Sequence, residues 1–269
     1  MTTLSRRQRI EADLSNLSAR GYDIASEAHR GLVDLHARVA AKGEFDHIDA
    51  FIDPAKASID VGANGGQFSL KLAATSARVL VVEPLQEFAY LEHALPAQCT
   101  FRRCALGETT GEAQIKIPRI NGDPMSGMAS FYDLTEFGYR DFDVQTVAIR
   151  LLDDVVAEAL PDLPVGFIKM DVEGWELPVL RGARRLIARD RPNLLVEIWP
   201  QQMPKLAQDI EALGYRGLFF FDGRIHDVSR FDHAIHTAPE NDWNPEKLHA
   251  FRPELHVNNF FFVPVTARS

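Results

Sequence analysis

Short apolar runs alternate with amphipathic stretches along most of the chain, and this pattern predicts alternating strands and helices. The apolar runs are rich in Val, Ile, Leu and Phe and are bounded by Gly, Pro or charged residues, as buried strands are. They predict strands at residues 57–61, 78–82, 100–106, 165–171, 193–199, 215–221 and 259–263. Strands that alternate with helices form a mostly parallel sheet. We therefore expect an α/β fold whose final strand returns antiparallel after a long loop.

Apolar residues at helical spacing predict the connecting helices. These are expected at residues 68–73, 85–95, 151–160, 176–187 and 202–213, the second closed by Pro96 and the last by Gly214. Pro and Gly are the residues that most often end a helix. The pattern therefore supplies a helix after almost every strand, as a parallel sheet requires.

Three segments depart from the alternation and define the predicted organisation. Residues 1–50 indicate an N-terminal segment of two amphipathic helices, the second of which is expected to end at Gly43. Residues 51–269 indicate one α/β domain. Within it, residues 111–150 contain two stretches that alternate at period two, which predict an antiparallel insertion at the sheet edge. Residues 222–256 are polar and weakly periodic and predict a long loop. The insertion is a candidate for substrate contacts, because loops on a rigid scaffold often carry function.

A glycine-rich turn follows the first predicted strand. Asp60 lies near the end of that strand, Gly62, Gly65 and Gly66 follow, and an apolar helical pattern begins at once. A strand, a tight turn and a helix N-terminus form the place where α/β folds bind small ligands. Glu83 ends the next strand, where a carboxylate suits a bidentate contact with ribose hydroxyls. The arrangement indicates a nucleoside ligand, and the alternative is that the glycines only make a tight turn.

Composition and charge narrow the classes of partner. The chain has 269 residues, of which 46% are hydrophobic, enough for one large domain with a buried core. Its net charge of −9 repels phosphate backbones, so nucleic acid is not an expected partner. No apolar run approaches the roughly 20 residues of a membrane span, and the polar N-terminus lacks an apolar signal segment. The sequence thus predicts no membrane partner.

The two cysteines predict a reducing compartment. Cys99 and Cys104 are expected on one strand at odd spacing, which would direct their side chains to opposite faces. Neither a disulfide framework nor a zinc pattern is expected, and this fits the cytoplasm.

Three stretches of the sequence resemble the FkbM-type methyltransferases. They are residues 60–66 (Asp-Val-Gly-Ala-Asn-Gly-Gly), Glu83-Pro84, and residues 167–176 followed by Leu180-Arg181-Gly182. The resemblance runs from about residue 57 to residue 200, with an echo at Asn258-Asn259-Phe260. The first stretch would fit many S-adenosylmethionine enzymes, whereas the block Lys-x-Asp-x-Glu-Gly followed by Leu-Arg-Gly is more specific.

The resemblance implies a fold, a methyl donor and an acceptor class. The fold is the Rossmann-like class I methyltransferase fold, a mostly parallel seven-stranded sheet with an antiparallel last strand and helices on both faces. The donor is S-adenosylmethionine, and the acceptor is usually a hydroxyl oxygen, here of a small molecule, sugar or glycan. The residues expected to bind the donor are Asp60, Gly62, Asn64, Gly65, Gly66, Glu83, Cys104, Ala105 and Asp171.

Each of these residues has an expected contact. Backbone N–H groups of residues 62–66 would bind the methionine carboxylate at the helix N-terminus. Asp60 would organise the turn or bind the ammonium group, and Glu83 would bind the ribose. Cys104 and Ala105, at the end of the third strand, would flank the adenine.

A hydroxyl acceptor needs a base, and three acids are candidates. Asp171, Glu173 and Glu197 fall at or just beyond strand ends that face the same crevice. We expect Asp171 to be the base first, Glu173 second and Glu197 third, because a base must reach the acceptor hydroxyl. Structural alternatives are a helix cap for Asp171, a favourable charge in the first helical turn for Glu173, and a buried hydrogen bond for Glu197. Paired acids also suit Mg²⁺, so metal dependence stays open, as does a homo-oligomeric state.

Other functions predict different sequence features. An NAD-dependent oxidoreductase would carry G-x-G-x-x-G, whereas the glycines here are Gly62, Gly65 and Gly66. A non-catalytic nucleotide-binding protein would not need acids at three strand ends. An RNA methyltransferase is disfavoured by the net charge.

Overall fold

A computed structural model describes residues 5–39, 45, 47–199, 201–237 and 257–265. The predicted stop of the second helix at Gly43 and most of the predicted loop after residue 237 lie outside these residues. The described strands are β1 (Ala57–Val61), β2 (Arg78–Val82), β3 (Cys99–Arg102), β4 (Ala105–Leu106), β5 (Gly111–Ile120), β6 (Asp123–Pro124), β7 (Phe142–Arg150), β8 (Val165–Met170), β9 (Asn193–Glu197), β10 (Tyr215–Phe221), β11 (Arg224–Asp227) and β12 (Asn259–Pro264).

The helices lie between these strands and before them. They are α1 (Arg6–Ala19), α2 (Glu27–Val39), α3 (Gln67–Thr75), α4 (Leu91–Ala94), α5 (Leu152–Ala159), α6 (Glu176–Arg181), α7 (Arg184–Asp190), α8 (Met203–Ala212) and α9 (His233–His236). The two predicted N-terminal helices are confirmed as α1 and α2. No described helix has both the length and the apolar character that crossing a bilayer requires.

The main sheet has the predicted α/β topology. Its order is β11-β10-β12-β9-β8-β1-β2-β3. β1, β2, β3, β8 and β9 pair in parallel, and β12 runs antiparallel to both β9 and β10. The antiparallel final strand is therefore confirmed. The sheet is Rossmann-like, and it holds eight described strands rather than seven because β11 forms a hairpin with β10.

Helices cover both faces of this sheet and create two cores. Leu80 and Val82 of β2 pack in the core that includes residues of α5, α6, α7 and α8, whereas Val79 and Val81 pack with residues of α1, α2, α3 and α4. Successive residues of a strand point to opposite faces, so a strand buried on both sides reads as a continuous apolar run. This explains why the central strands were readable from the sequence.

The N-terminal helices are attached to α3 by buried charges. Lys71 of α3 is only 2% exposed, and its Nζ lies 2.9 Å from Asp13 Oδ1 of α1 and 2.7 Å from Asp49 Oδ2. A buried ammonium group must be paired with carboxylates to offset its loss of hydration. The pairing holds α1 against the helix that follows the glycine turn.

The insertion forms a sheet of its own, with the order β4-β7-β5-β6. β5 and β7 pair antiparallel from Gly111↔Ile149 to Pro118↔Phe142, which confirms the predicted hairpin. The inserted strands do not continue the main sheet, because the described strands form two separate sheets. β4 pairs with β7 rather than with a strand of the main sheet, and so carries the chain from one sheet to the other.

The third predicted strand was too long for a related reason. β3 ends at Arg102, the Cys104 N–H donates to the Arg102 carbonyl at 3.2 Å, and the chain then enters β4. Cys99 and Cys104 therefore do not share a strand, and both are free thiols. The apolar run at 100–106 predicts strand structure, but it does not show that its two parts belong to different sheets.

Two predicted single helices are each divided. Residues 85–95 form a 3-10 turn, Gln86–Phe88, followed by α4. Residues 176–187 form α6 and α7, which are separated at Gly182. A Cβ atom at Gly182 would lie 2.1 Å from the Gly107 carbonyl oxygen, so the chain leaving β4 passes too close to this break for any residue but glycine. The predicted loop at 222–256 likewise contains β11 and α9 in its described part.

Candidate active site

An open cleft of about 610 Å³ lies at the carboxyl ends of β1, β2 and β8. Ligands of open α/β sheets bind at this edge. The residues that line it are Val61, Gly62, Asn64, Val82, Glu83, Pro84, Leu85, Cys104, Ala105, Leu106, Ile115, Ser126, Gly127, Ala129, Phe131, Asp171, Val172, Glu173 and Trp175.

Gly62 allows two strand ends to approach closely. Its φ is +73°, and a Cβ atom there would lie 1.8 Å from the Asp171 carbonyl oxygen. The Asp171 N–H in turn donates to the Val61 carbonyl at 3.0 Å. Only glycine permits this contact, because any side chain would push the end of β8 away from the turn. Gly62 therefore has a structural role that the sequence did not reveal.

The other two glycines of the turn contact the N-terminal helix α2. A Cβ atom at Gly65 would lie 2.7 Å from Leu35 Cδ2, and one at Gly66 would lie 3.0 Å from Leu32 Cδ1. Gly66 has a φ of +85° and immediately precedes α3. Neither glycine lines the cleft. For Gly66, an added Cβ atom would lie nearest to Leu91 Cδ2 of α4, at 2.8 Å. Gly65 therefore packs against α2, and the positive φ accounts for glycine at position 66.

The backbone N–H groups of residues 62–66 all donate hydrogen bonds within the protein. The acceptors are Val82 O for Gly62 and Ala63, Glu83 Oε2 for Asn64, Asn64 Oδ1 for Gly65, and Ala63 O for Gly66. The expectation that these groups bind a carboxylate stays a prediction. A donor carboxylate would have to displace one of these acceptors, of which the Asn64 side chain is the most readily moved.

Glu83 has the position that the sequence predicted, at the carboxyl end of β2. Its Oε2 accepts the Asn64 N–H at 2.8 Å and its Oε1 accepts the Leu85 N–H at 2.9 Å. Burial raises the pKa of this carboxyl to about 7, against the opposing effect of these two hydrogen bonds. Each oxygen keeps one lone pair for a ligand hydroxyl.

Lys169 lies beneath the cleft as a buried cation. It is 1% exposed, its Nζ lies 2.8 Å from Asp171 Oδ2, and it sits 4.7 Å from the centre of the Phe68 ring. Burial alone would lower the pKa of this ammonium group. The charges of Asp171, Asp60 and Glu197 outweigh that effect, so the pKa is raised. Lys169 therefore carries a positive charge among the acids at the strand ends.

Asp60 is held beside Lys169 and does not line the cleft. Asp60 and Lys169 are register partners in the β1–β8 pair, and Asp60 is fully buried. Its Oδ2 accepts the Ser69 hydroxyl at 2.6 Å, whereas its Oδ1 has no hydrogen-bond partner among the described residues. Burial raises the pKa of Asp60 although Lys169 opposes the shift.

Glu173 lines the cleft in a strained backbone conformation, with a φ of +49°. The Trp199 Nε1–H donates to Glu173 Oε2 at 2.9 Å, and the Ser130 hydroxyl donates to the Glu173 carbonyl at 2.8 Å. Burial, followed by the charges of Asp171 and Glu197, raises the pKa of Glu173 well above its usual value, and the bond from Trp199 opposes this. Non-glycine residues at positive φ concentrate at functional sites.

Glu197 and Glu176 support the site from outside the cleft. The Asn258 side-chain amide donates to Glu197 Oε1. Glu176 was not among the predicted residues, yet its Oε1 accepts the Gly174 N–H at 3.1 Å and so fixes the turn after β8. Burial raises the pKa of Glu176 to about 7. In the sequence block Glu-Gly-Trp-Glu, the position of Glu176 two residues after Gly174 could have indicated an acid that accepts hydrogen bonds from the turn.

The insertion forms one wall of the cleft. The Ser126 hydroxyl donates to Glu87 Oε1 at 2.6 Å, and the Gln145 amide donates to Glu87 Oε2 at 2.8 Å. These bonds attach the insertion to the segment after β2, while Ser130 attaches it to the turn after β8. The wall residues Ser126, Gly127, Ala129 and Phe131 were not predicted individually, because the sequence pattern shows only a loop there.

The structure brings together most of the predicted site residues. Gly62, Asn64, Glu83, Cys104, Ala105, Asp171 and Glu173 line the cleft, whereas Asp60, Gly65, Gly66 and Glu197 lie next to it. Across the described ranges, His, Cys, Asp and Glu side chains do not gather in groups of three or more suited to a metal ion.

The fold and the cleft define a Rossmann-like α/β protein with an open cleft at the carboxyl ends of its parallel strands. The chain belongs to the FkbM methyltransferase family, because the methyltransferase FkbM domain matches residues 60–216, more than half of the chain. Family membership supports enzymatic methyl transfer. A comparison with curated proteins finds no match.

Solved structures of three other proteins are similar to this chain. The methyltransferase FkbM from Methylobacillus flagellatus KT is 16% identical with a TM-score of 0.47, over 93% of this chain and 58% of that one. Precorrin-6y C5,15-methyltransferase from Geobacter metallireducens GS-15 is 11% identical with a TM-score of 0.37, over 80% and 81%. Precorrin 8w decarboxylase from Methanobacterium thermoautotrophicum is 14% identical with a TM-score of 0.34, over 81% and 87%.

Proposed function

We propose that the protein is an S-adenosylmethionine-dependent O-methyltransferase that acts on a hydroxyl group of a small molecule, sugar or glycan. The observation that carries the proposal is the pair of acidic strand ends across the cleft. Glu83 ends β2 on one side, and Asp171 and Glu173 follow β8 on the other. Such a cleft has acceptors for a nucleoside on one side and for a polar group on the other.

The residues present fit the donor. Glu83 has lone pairs for two ribose hydroxyls, and the apolar side chains of Val82, Leu106 and Ile115 offer a surface for a base. Asp171 lies at the opposite side, where a carboxylate suits the ammonium group of the methionine part. Cys104 and Ala105 stand beside the adenine position in this arrangement.

The bound donor supplies a methyl group already activated on a sulfonium, and the electrons of the broken carbon–sulfur bond stay on sulfur. The protein mainly positions the reactants and removes the hydroxyl proton. Asp171 is bonded to Lys169, whereas Glu173 combines a raised pKa with a place in the cleft wall. These observations favour Glu173 over Asp171 as the base and reverse the order expected from the sequence.

The charge of the cleft favours a neutral acceptor. Among its described lining residues, Lys, Arg and His are absent, and the acids are Glu83, Asp171 and Glu173. An anionic acceptor such as a phosphorylated sugar or RNA would be repelled by them. A neutral hydroxylated acceptor can instead donate hydrogen bonds to the carboxylates.

Calorimetry tests the choice of donor. We expect S-adenosylmethionine and S-adenosylhomocysteine to bind and NAD not to bind comparably. Glu83→Gln should weaken donor binding by about 1–2 kcal/mol, because a hydrogen bond to a charged group is lost. Glu92→Gln is the matched control, since Glu92 on α4 is exposed and does not line the cleft. NAD binding, or equal donor affinity in both variants, would contradict the proposal.

A further inference from the structure

A cluster of aromatic side chains continues from the cleft wall toward solvent. Tyr132 of the insertion is 40% exposed, and its ring centre lies 6.1 Å from that of Trp175 and 6.0 Å from that of Trp199. Phe131 contacts the other side of Trp175, with ring centres 5.1 Å apart. Phe131 and Trp175 line the cleft, so the aromatic surface is continuous with it.

The turn after β8 has a glycine where Tyr132 lies against it. A Cβ atom at Gly174 would lie 3.0 Å from Tyr132 Cε2, and Gly174 also has a φ of +93°. The close approach sets the Tyr132 ring directly over the turn that carries Glu173. An exposed ring is therefore held at a fixed place beside a carboxyl group of the cleft.

Trp199 joins the aromatic surface to that carboxyl group. Its indole N–H donates to Glu173 Oε2, while its ring faces Tyr132. Glu173 Oε1 accepts no hydrogen bond from the described residues that would compete with a ligand. One carboxylate oxygen is thus fixed by the protein, and the other is available.

We propose that Tyr132 and Glu173 form the acceptor subsite, with Trp199 holding Glu173 in place, and that the subsite takes a neutral polyhydroxylated ring such as a pyranose. Glu173 accepts the proton of the hydroxyl to be methylated. The inference rests on the proposed methyltransferase function and deepens it. Aromatic rings present a flat apolar face, which matches the C–H face of a sugar ring, and a carboxylate accepts hydrogen bonds from its hydroxyls.

In the proposed step, Glu173 receives the proton that the acceptor hydroxyl loses. The hydroxyl proton passes to Glu173 Oε1, which gives the neutral carboxylic acid. The hydroxyl oxygen keeps the electron pair with which it forms the bond to the methyl carbon. Trp199 is a positioning residue, because it acts through Glu173.

The groups that face Glu173 set its acidity. Asp171 at the end of β8, Glu197 at the end of β9 and Glu176 of α6 all raise the pKa of Glu173, and burial does so most strongly. Trp199 lowers that pKa by its hydrogen bond. A base whose pKa lies nearer to the working pH accepts a proton more effectively.

Saturation-transfer NMR with methyl glucoside, methyl galactoside and methyl mannoside, in the presence of S-adenosylhomocysteine, tests the subsite. We expect at least one of these pyranosides to bind, Tyr132→Ala to weaken its binding about tenfold, and Tyr132→Phe to retain it. Val144→Ala, an exposed position on β7 of the same insertion, is the control. Unchanged pyranoside binding in Tyr132→Ala would overturn the subsite. The same conclusion would follow if the aromatic diol catechol bound to the protein and none of the three pyranosides did.

Initial rates of methylation of the bound pyranoside test the base. Glu173→Gln should lower kcat on the order of 10²-fold with KM little changed. Trp199→Phe should move the acid limb of the pH–rate profile to higher pH, because the hydrogen bond that lowers the pKa of Glu173 is removed. A uniform loss at all pH values in Trp199→Phe, or a bound pyranoside that is never methylated, would overturn the role of Glu173.

The two proposals fail in different ways. If calorimetry shows no binding of S-adenosylmethionine, the proposal that this cleft is a methyltransferase site is rejected. Pyranoside binding can be measured separately, without S-adenosylhomocysteine. Normal donor binding together with absent pyranoside binding would reject only the acceptor subsite.

Discussion

Lys169 Nζ lies 2.8 Å from Asp171 Oδ2 at the base of the cleft, and the lysine is 1% exposed. The same ammonium group is close enough to Asp60 and Glu197 for their charges to raise its pKa. A lysine therefore occupies the centre of the acidic strand ends.

Removal of the Lys169 charge should destabilise the fold strongly. Lys169→Met leaves Asp171 and the fully buried Asp60 without their counter-charge, and loss of one partner of a buried pair costs about 3–5 kcal/mol. Urea unfolding measures the change. Lys116→Met, which disrupts the exposed pair with Asp133, should change stability little by comparison. Equal effects of the two substitutions would show that Lys169 is not an electrostatic anchor.

Gly62→Ala should separate the turn from the end of β8. The added Cβ atom would overlap the Asp171 carbonyl oxygen, 1.8 Å away, so the two strand ends must move apart. We expect a loss of several-fold or more in affinity for S-adenosylhomocysteine and a lower midpoint of thermal unfolding. Gly122→Ala is the matched control, because Gly122 also has a positive φ but no neighbour within 4 Å of the added atom. Similar effects would mean that only backbone strain matters.

Asp171→Asn should act on donor binding more than on turnover. The substitution keeps the shape but removes the charge that would attract the donor ammonium group. We expect affinity for S-adenosylmethionine to fall by about 1–2 kcal/mol, with kcat at saturating donor within a few-fold of the original. Unchanged affinity combined with a loss on the order of 10²-fold in kcat would return the role of base to Asp171.

Glu176 should make stability fall as pH rises. Its pKa is about 7 in the folded protein against an ordinary value of 4.5, so the folded state holds the proton more tightly. The stabilising contribution is complete below pH 4.5 and is lost as pH rises through about 7. Relative to Glu176→Gln, the original protein should lose on the order of 3 kcal/mol of unfolding free energy across this window. Parallel stability curves for the two proteins would contradict this account.

Sequence patterns alone determined the sheet and the location of its ligand edge. β2 and β10 have the predicted bounds, because their continuous apolar runs end at charged or turn residues. The placement of Glu83 and Asp171 followed directly, since residues just after parallel strands meet at one edge of a sheet. Local chemistry, namely side-chain period and turn residues, was sufficient for these features.

Tertiary structure decided which segments meet across the chain. The break at Gly182, the transfer of β4 to the inserted sheet, and the contact of Tyr132 with Gly174 each depend on a partner distant in sequence. Gly62 is the clearest case, because a side chain at this position would overlap the Asp171 carbonyl oxygen. This contact requires glycine more than the turn does. Apolar periodicity shows whether a residue is buried, but it does not show which other residues bury it.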